Sequence, residues 1–217
     1  MRKRKSEETR DKLGLGYFHN GHIFPRFEDR DIPSSGVTSR FVNPKTGTMI
    51  TCISQGERNQ ALLLIWDDDV TEIYCQVALE QEYTDALADE LNYRKFDNGK
   101  SPMTTDLVAK RKDGSLVAYS VKAQHIDAEV ERTRQKLEME RLYWKRHNFE
   151  FHLVFKEDMN PILCSNIADV LAAYDDRFIC DDIGKIRHLI AHKYISVDMN
   201  KPLDYAALVK KYKGELI

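Results

Sequence analysis

The chain has 217 residues, 42% of them hydrophobic and 31% charged, with a net charge of −2, values that suit one moderate-sized globular domain, or a larger one with a small appendix. The charge argues against indiscriminate nucleic-acid binding, and the longest apolar run, Ala61 to Trp66, is far too short to span a bilayer. The start, MRKRKSEETRDK, lacks the apolar region of a signal peptide, so a cytoplasmic protein is expected. The four cysteines (Cys52, Cys75, Cys164, Cys180) form no C-x-x-C pair and read as reduced thiols.

Residues 1–48 are rich in Gly, Pro and Ser and read as a sparsely structured arm. Its basic quartet, Arg2 to Lys5, reads as a solvated tail rather than a phosphate contact. Phe41 to Ile50 predicts a hairpin around Pro44 to Gly47, and Ser54-Gln55-Gly56-Glu57 opens a helix through Trp66. Glu57 has two readings. In one it completes a capping box with Ser54, returning its carboxylate to the Ser54 N–H. In the other it supplies a carboxylate to a metal. A strand over Val70 to Leu79 precedes a polar segment, Glu80 to Asp85, and a stretch, Ala86 to Gly99, that begins helical and ends as a loop.

Ser101 to Gln124 reads as strand, turn, strand. Thr104 to Ala109 and Leu116 to Lys122 are rich in β-branched and apolar residues, and Lys112-Asp113-Gly114 supplies the turn. Loop length decides what meets what. A two-residue loop, Asp113-Gly114, pairs Asp106 with Val121 and puts Asp106 and Lys122 on opposite faces. A three-residue loop, Lys112 to Gly114, pairs Asp106 with Ser120, so that Asp106, Ser120 and Lys122 share a face; this second register is the one expected here. An acid on one strand facing X-x-Lys on the next is the core of the PD-(D/E)xK nuclease site. There carboxylates hold a divalent metal, and the lysine orients the attacking water or stabilises phosphorane charge. By itself the pattern also fits an amphipathic surface hairpin with solvated charges.

Asp127 to His147 predicts one long charged helix, with Val130, Leu137 and Trp144 as its apolar stripe and Glu138, Glu140 and Arg141 among a mostly solvated face. Arg132, Arg134, Lys136 and Arg141 could also face a phosphate backbone. Phe149, Phe151, Leu153 and Phe155 alternate as a strand. These elements fit a mixed α/β sheet flanked by helices. Beyond Pro161, helices over Ile162 to Tyr174 and Ile183 to His192 and a strand over Tyr194 to Asp198 suggest a truncated winged helix, or a helical cap on the main sheet. His188-x-x-x-His192 with Cys164 and Cys180, and His19-x-x-His22, fit no zinc-finger spacing.

Read together, several segments resemble the TnsA family, the endonuclease subunits of heteromeric, Tn-seven-like transposases. They are Ile32 to Gly36 followed by Lys45-Thr46-Gly47; Ser54-x-x-Glu57 and its helix; Met103-Thr104-Thr105-Asp106; Val121-Lys122; Leu137-Glu138-x-Glu140-Arg141-x-Tyr143-Trp144; and Ile186 to Ile190 running into Tyr194-Ile195. The resemblance spans roughly residues 30–198. It implies a restriction-endonuclease-like α/β fold, with a nuclease domain over 49–160 and a small winged-helix-like α+β module over 161–217. It implies Glu57, Asp106, Ser120 and Lys122 as catalytic residues. The family often has glutamine where this chain has Ser120, and a hydroxyl binds a metal only weakly. Metal binding then rests on Asp106, Glu57 and the Val121 carbonyl. The implied cofactor is Mg²⁺, with Mn²⁺ as a substitute and no small-molecule cofactor. The implied substrate is DNA at transposon ends, cut on the non-transferred strand at the 5′ end. The implied partners are a DDE-type transposase (TnsB) and an AAA+ regulator (TnsC), near the nucleoid and with no membrane. A stand-alone restriction or repair nuclease of the same fold, and a non-catalytic DNA-associated adaptor, are the alternatives.

Overall fold

A computed structural model describes residues 5–19, 22–24, 26–27 and 38–213. Arg2 to Arg4 and the Ile32 to Gly36 segment lie outside the described residues, as do the side chains of His19 and His22. The chain divides into two compact units, one of residues 1–41 and 49–158, the other of residues 42–48 and 159–217.

The first unit is built on a four-stranded mixed sheet in the order β5 (Val70–Ala78), β6 (Thr104–Arg111), β7 (Leu116–Lys122), β8 (Glu150–Phe155). β5, β6 and β7 are antiparallel, and β8 runs parallel to β7. Both faces are buried, which is why β6 and β7 read as nearly continuous apolar runs around their few polar positions. Tyr74, Val108 and Ala118 pack with Leu87 of α3 (Gln81–Glu90) and with Met139 and Trp144 of α5 (Glu131–Arg146). On the other side α2 (Gln55–Trp66) is buried nearly all round, and Leu107, Ala109 and Val117 are likewise closed off from solvent. Before α2, β3 (Ser39–Val42) and β4 (Met49–Cys52) form the expected hairpin. α3 begins five residues before the Ala86 start read from the sequence.

The long helix expected over Asp127 to His147 is two. α4 (His125–Glu129) is set by a reciprocal cap between Gln124 and Asp127. Val130 then turns extended (φ −60°, ψ 122°) before α5 begins. Val130 is exposed rather than part of an apolar stripe. The described part of the arm is also more ordered than its composition suggests. Ser6 caps α1 (Glu7–Lys12), and the buried Arg26 guanidinium pairs with Glu7 at 2.6 Å and Asp11 at 2.9 Å. The short strands β1 (Phe18–His19) and β2 (His22–Ile23) pair with each other. Gly16 accepts the Ala78 N–H at the end of β5. It does so at φ +87°, where a Cβ would stand 2.9 Å from that of Arg26, so the arm's docking depends on a residue with no side chain.

The second unit is helical: α6 (Pro161–Leu171), α7 (Asp182–Ala191) and α8 (Tyr205–Lys211). Asn160 caps α6, with Pro161 at the first helical position. No strand forms over Tyr194 to Asp198. Lys193 adopts φ +60°, and the N–H groups of Tyr194 and Ile195 both turn back to the Leu189 carbonyl. The donors that a wing strand would offer to a neighbour are used in closing the helix.

Candidate active site

Loop chemistry sets the site. Arg111 N–H bonds to Ser115 O, and Gly114, at φ +85°, closes the turn. β6 and β7 therefore pair as Lys110↔Leu116 through Leu107↔Tyr119, the three-residue-loop register, which carries Asp106 opposite Ser120. The regular pairing stops there. One step on, the Val121 N–H donates to Asp106 Oδ2 at 2.7 Å, so a side chain takes over from the ladder. Lys122 Nζ lies 3.7 Å from the same oxygen and donates to Ser120 Oγ at 3.0 Å and to Val121 O at 3.1 Å. Among the described residues no protein group bonds to Asp106 Oδ1.

Glu57 stands on the first turn of α2. Gly56 lets that turn approach β7, since a Cβ there would lie 3.0 Å from Val121 Cγ1. The expected capping box is half made. Ser54 Oγ accepts the Glu57 N–H at 3.1 Å, whereas Glu57 Oε2 takes the Ile53 N–H at 2.9 Å rather than that of Ser54. Ser54 itself is extended, and the carboxylate reaches one residue further back. Gln76 donates a second bond to Oε2 at 3.2 Å and accepts from Thr104 Oγ1 at 3.2 Å. Gln76 holds φ 51° in mid-strand, a costly conformation for a residue with a side chain, and its amide fixes Glu57.

A cleft of about 320 Å³ opens over the parted strand ends, with Asp106, Ser120 and Lys122 on its wall. Glu57 is not among its lining residues, though the Asp106 charge acts on it. Glu140 of α5, read as part of a solvated face, instead lines the cleft and is only 4% exposed. It accepts the Thr105 hydroxyl at 2.8 Å, and Thr105 in turn accepts the Trp144 indole N–H at 2.8 Å. Burial pushes the Glu140 carboxyl up to about 8, with the Asp106 charge acting in the same direction and Lys122 against it. Burial likewise pushes Glu57 up to about 7, again helped by Asp106 and opposed by its bond from Ile53. The Asp106 charge thus bears on both buried acids, and Lys122 offsets it at Glu140. Glu140 was legible in part: it lies on the helical stripe shared by Leu137 and Trp144. Gln76, a polar residue inside the strand Tyr74-Cys75-Gln76-Val77, carried a similar signal.

Thr105 offers a direct check on this network. Thr105→Val keeps the shape and removes the hydroxyl, leaving the Trp144 N–H and a Glu140 oxygen unpaired, at about 1–3 kcal/mol each. Urea unfolding followed by tryptophan fluorescence should show a loss of about 2–4 kcal/mol, with Thr105→Ser close to wild type. Equal losses for the two variants would contradict the hydrogen-bond account.

The histidine pair belongs to the second unit's packing. His188 donates to Ala173 O and His192 to Tyr174 O, and the His192 ring stacks on Tyr174 at 4.1 Å.

A mixed sheet flanked by helices, with an acid and a lysine on the parted ends of two antiparallel strands and further acids on the helices packed against them, defines a restriction-endonuclease-like α/β arrangement. Residues 67–156 match the family described as TnsA-like endonuclease N terminal. The chain is also 29% identical over 161 residues to the Transposon Tn7 transposition protein TnsA of Escherichia coli. That match takes in 73% of this chain and 59% of the relative's length. Among the described residues no helix is long and apolar enough to cross a membrane.

Proposed function

We propose that the chain is the DNA endonuclease of a transposition complex, Mg²⁺-dependent, cutting the non-transferred strand at transposon 5′ ends. The observation that carries this is the parting of β6 and β7 at Asp106, which delivers Asp106, Ser120 and Lys122 to one cleft, with Glu57 close enough to feel the Asp106 charge. The relative's name supports the link to transposition.

The donor chemistry fits a hard divalent cation: carboxylate oxygens of Asp106 and Glu57 and the main-chain oxygen of Val121. Among the described residues no three His, Cys, Asp or Glu side chains converge to hold a metal by themselves. That suits Mg²⁺, which is held by one or two carboxylates, with water and substrate phosphate completing its shell, rather than by an all-protein cage; Mn²⁺ would take the same donors. When bound, such an ion supplies Lewis-acid polarisation of the phosphoryl oxygen and a nucleophile at neutral pH. The protein's own contributions are positional. Lys122, held by Ser120 Oγ and Val121 O, presents its ammonium where negative charge grows on the phosphate. Ser120 orients that lysine rather than reacting. Gln76 and the Ile53 N–H keep Glu57 from turning away.

Action on DNA places the protein in the cytoplasm, with a DDE-type transposase (TnsB) to process the 3′ ends and an AAA+ regulator (TnsC) to choose the target. The test is a strand-mapping cleavage assay on DNA carrying transposon ends, with Mg²⁺, for wild type and Asp106→Asn, each alone and with the partner transposase. Partner-dependent breaks on the 5′ strand that vanish in the variant are expected. Cutting without a partner would identify a stand-alone nuclease, and no Asp106-dependent cutting in either condition would leave a non-catalytic adaptor.

A further inference from the structure

The cleft has a second lysine besides Lys122. Lys136 lies on α5, one helical turn before Glu140, and its Nζ sits 4.6 Å from the centre of the Phe96 ring. Among the described residues Lys136 makes no ion pair and no hydrogen bond. Asp97, the one anion that favours its charge, has its carboxylate engaged by the Ser101 hydroxyl at 2.8 Å. Of the cleft's other acids, Asp127 Oδ2 is held by the Gln124 N–H at 2.9 Å, Asp106 already faces Lys122, and Glu140 accepts the Thr105 hydroxyl at 2.8 Å. Burial, with Arg132 and Lys122 nearby, pushes the Lys136 ammonium below its usual range. A half-buried cation with two cationic neighbours is costly unless an anion arrives.

The surroundings hold this cation in place. Arg132 Nη1 and Nη2 donate to the carbonyls of Arg94 and Lys95 at 2.7 and 2.9 Å, which ties the segment before Phe96 to α5. Phe96 is thereby fixed under the ammonium, and a ring face is a favourable seat for a cation. Because Lys136 covers that face, Phe96 offers no platform for a nucleobase. The ligand this corner suits is therefore a phosphate.

We infer that Lys136, seated on Phe96, is a phosphate-binding residue that grips the DNA strand beside the phosphodiester to be cut, an assignment that rests on the nuclease reading above. Lys136 takes no part in bond breaking. Its role is to add one backbone contact, which confers no sequence preference and weakens with salt.

The experiment is a salt titration of binding by the full chain to fluorescein-labelled duplex DNA in metal-free buffer, with Mg²⁺ cleavage measured in parallel. Lys136→Ala should weaken binding about 5- to 10-fold at the low-salt end and lower the slope of log K against log salt by about 1. Lys136→Arg should keep the wild-type slope. If wild type binds and cuts while Lys136→Ala keeps the full slope, the phosphate assignment falls and the nuclease reading stands. If the slope drops by one but wild type never cuts, alone or with its partner, the assignment stands and the nuclease reading falls. Absence of duplex binding by wild type, both alone and with its partner, would overturn both. Circular dichroism confirms that the variants fold.

Discussion

Asp106→Asn should reduce strand cleavage by roughly 10³-fold or more, because several kilocalories per mole of charge stabilisation at the phosphate depend on that carboxylate. The same variant should melt at or above the wild-type temperature at neutral pH in chelator. The asparagine carbonyl can still accept the Val121 N–H that Asp106 Oδ2 takes at 2.7 Å, so the parted strands keep their pin. The negative charge is lost, and with it the repulsion that Asp106 adds to burial in raising Glu57 and Glu140. The attraction to Lys122 at 3.7 Å is lost too, a partly exposed pair worth about 1 kcal/mol or less. Relief of two buried acids should outweigh it. Single-turnover cleavage and thermal unfolding on one preparation read both effects. An inactive variant that also melts several degrees lower would show that Asp106 serves the fold, and the catalytic assignment would lose its main support.

The sequence disclosed the site where local chemistry alone decides geometry. Lys112-Asp113-Gly114 sets loop length, loop length sets register, and register carries Asp106 opposite Ser120 with Lys122 two residues on. Ser54, whose hydroxyl accepts the Glu57 N–H, marked the start of α2. What stayed hidden depends on tertiary contacts. Glu140 carries the same charge as Glu138 two positions away, yet one faces the cleft and the other accepts a bond from Tyr93. Only the helix's rotation against the sheet separates them. The break at Val130 came from a cap at Gln124 and Asp127 competing with helical propensity. The missing wing strand turned on Lys193 entering the left-handed region, which lysine seldom does and composition does not announce. Nothing local to Arg26 announces its role: the acids of α1, more than ten residues away, make it a buried anchor.

Stability of the metal-free protein should fall as pH rises from about 5 to 8, the reverse of the usual acid-labile pattern. Glu140 has an ordinary value near 4.5 and is pushed up to about 8 in the fold; Glu57 moves the same way, to about 7. Between those limits the folded state holds protons that the unfolded state has released. The unfolding free energy therefore declines with pH, at up to about 1.4 kcal/mol per pH unit for each group. Below about 4.5 both states are protonated and nothing is lost; above about 8 the loss is complete. The surface acids with lowered values, Asp175 and Glu90 among them, titrate below this window and do not mask it. Urea midpoints in chelator at pH 5.5, 7 and 8.5 should step downward, and Glu140→Gln, which can still accept the Thr105 hydroxyl, should flatten the series and be the more stable protein at pH 8.5. A level or rising series in wild type would mean that the acids are not desolvated together. Mg²⁺ adds a second arm to the same experiment. A cation that uses the ionised carboxylates competes with their protons, so it should raise the midpoint more at pH 8.5 than at pH 5.5, and an equal rise at both would place its binding away from Glu57 and Asp106.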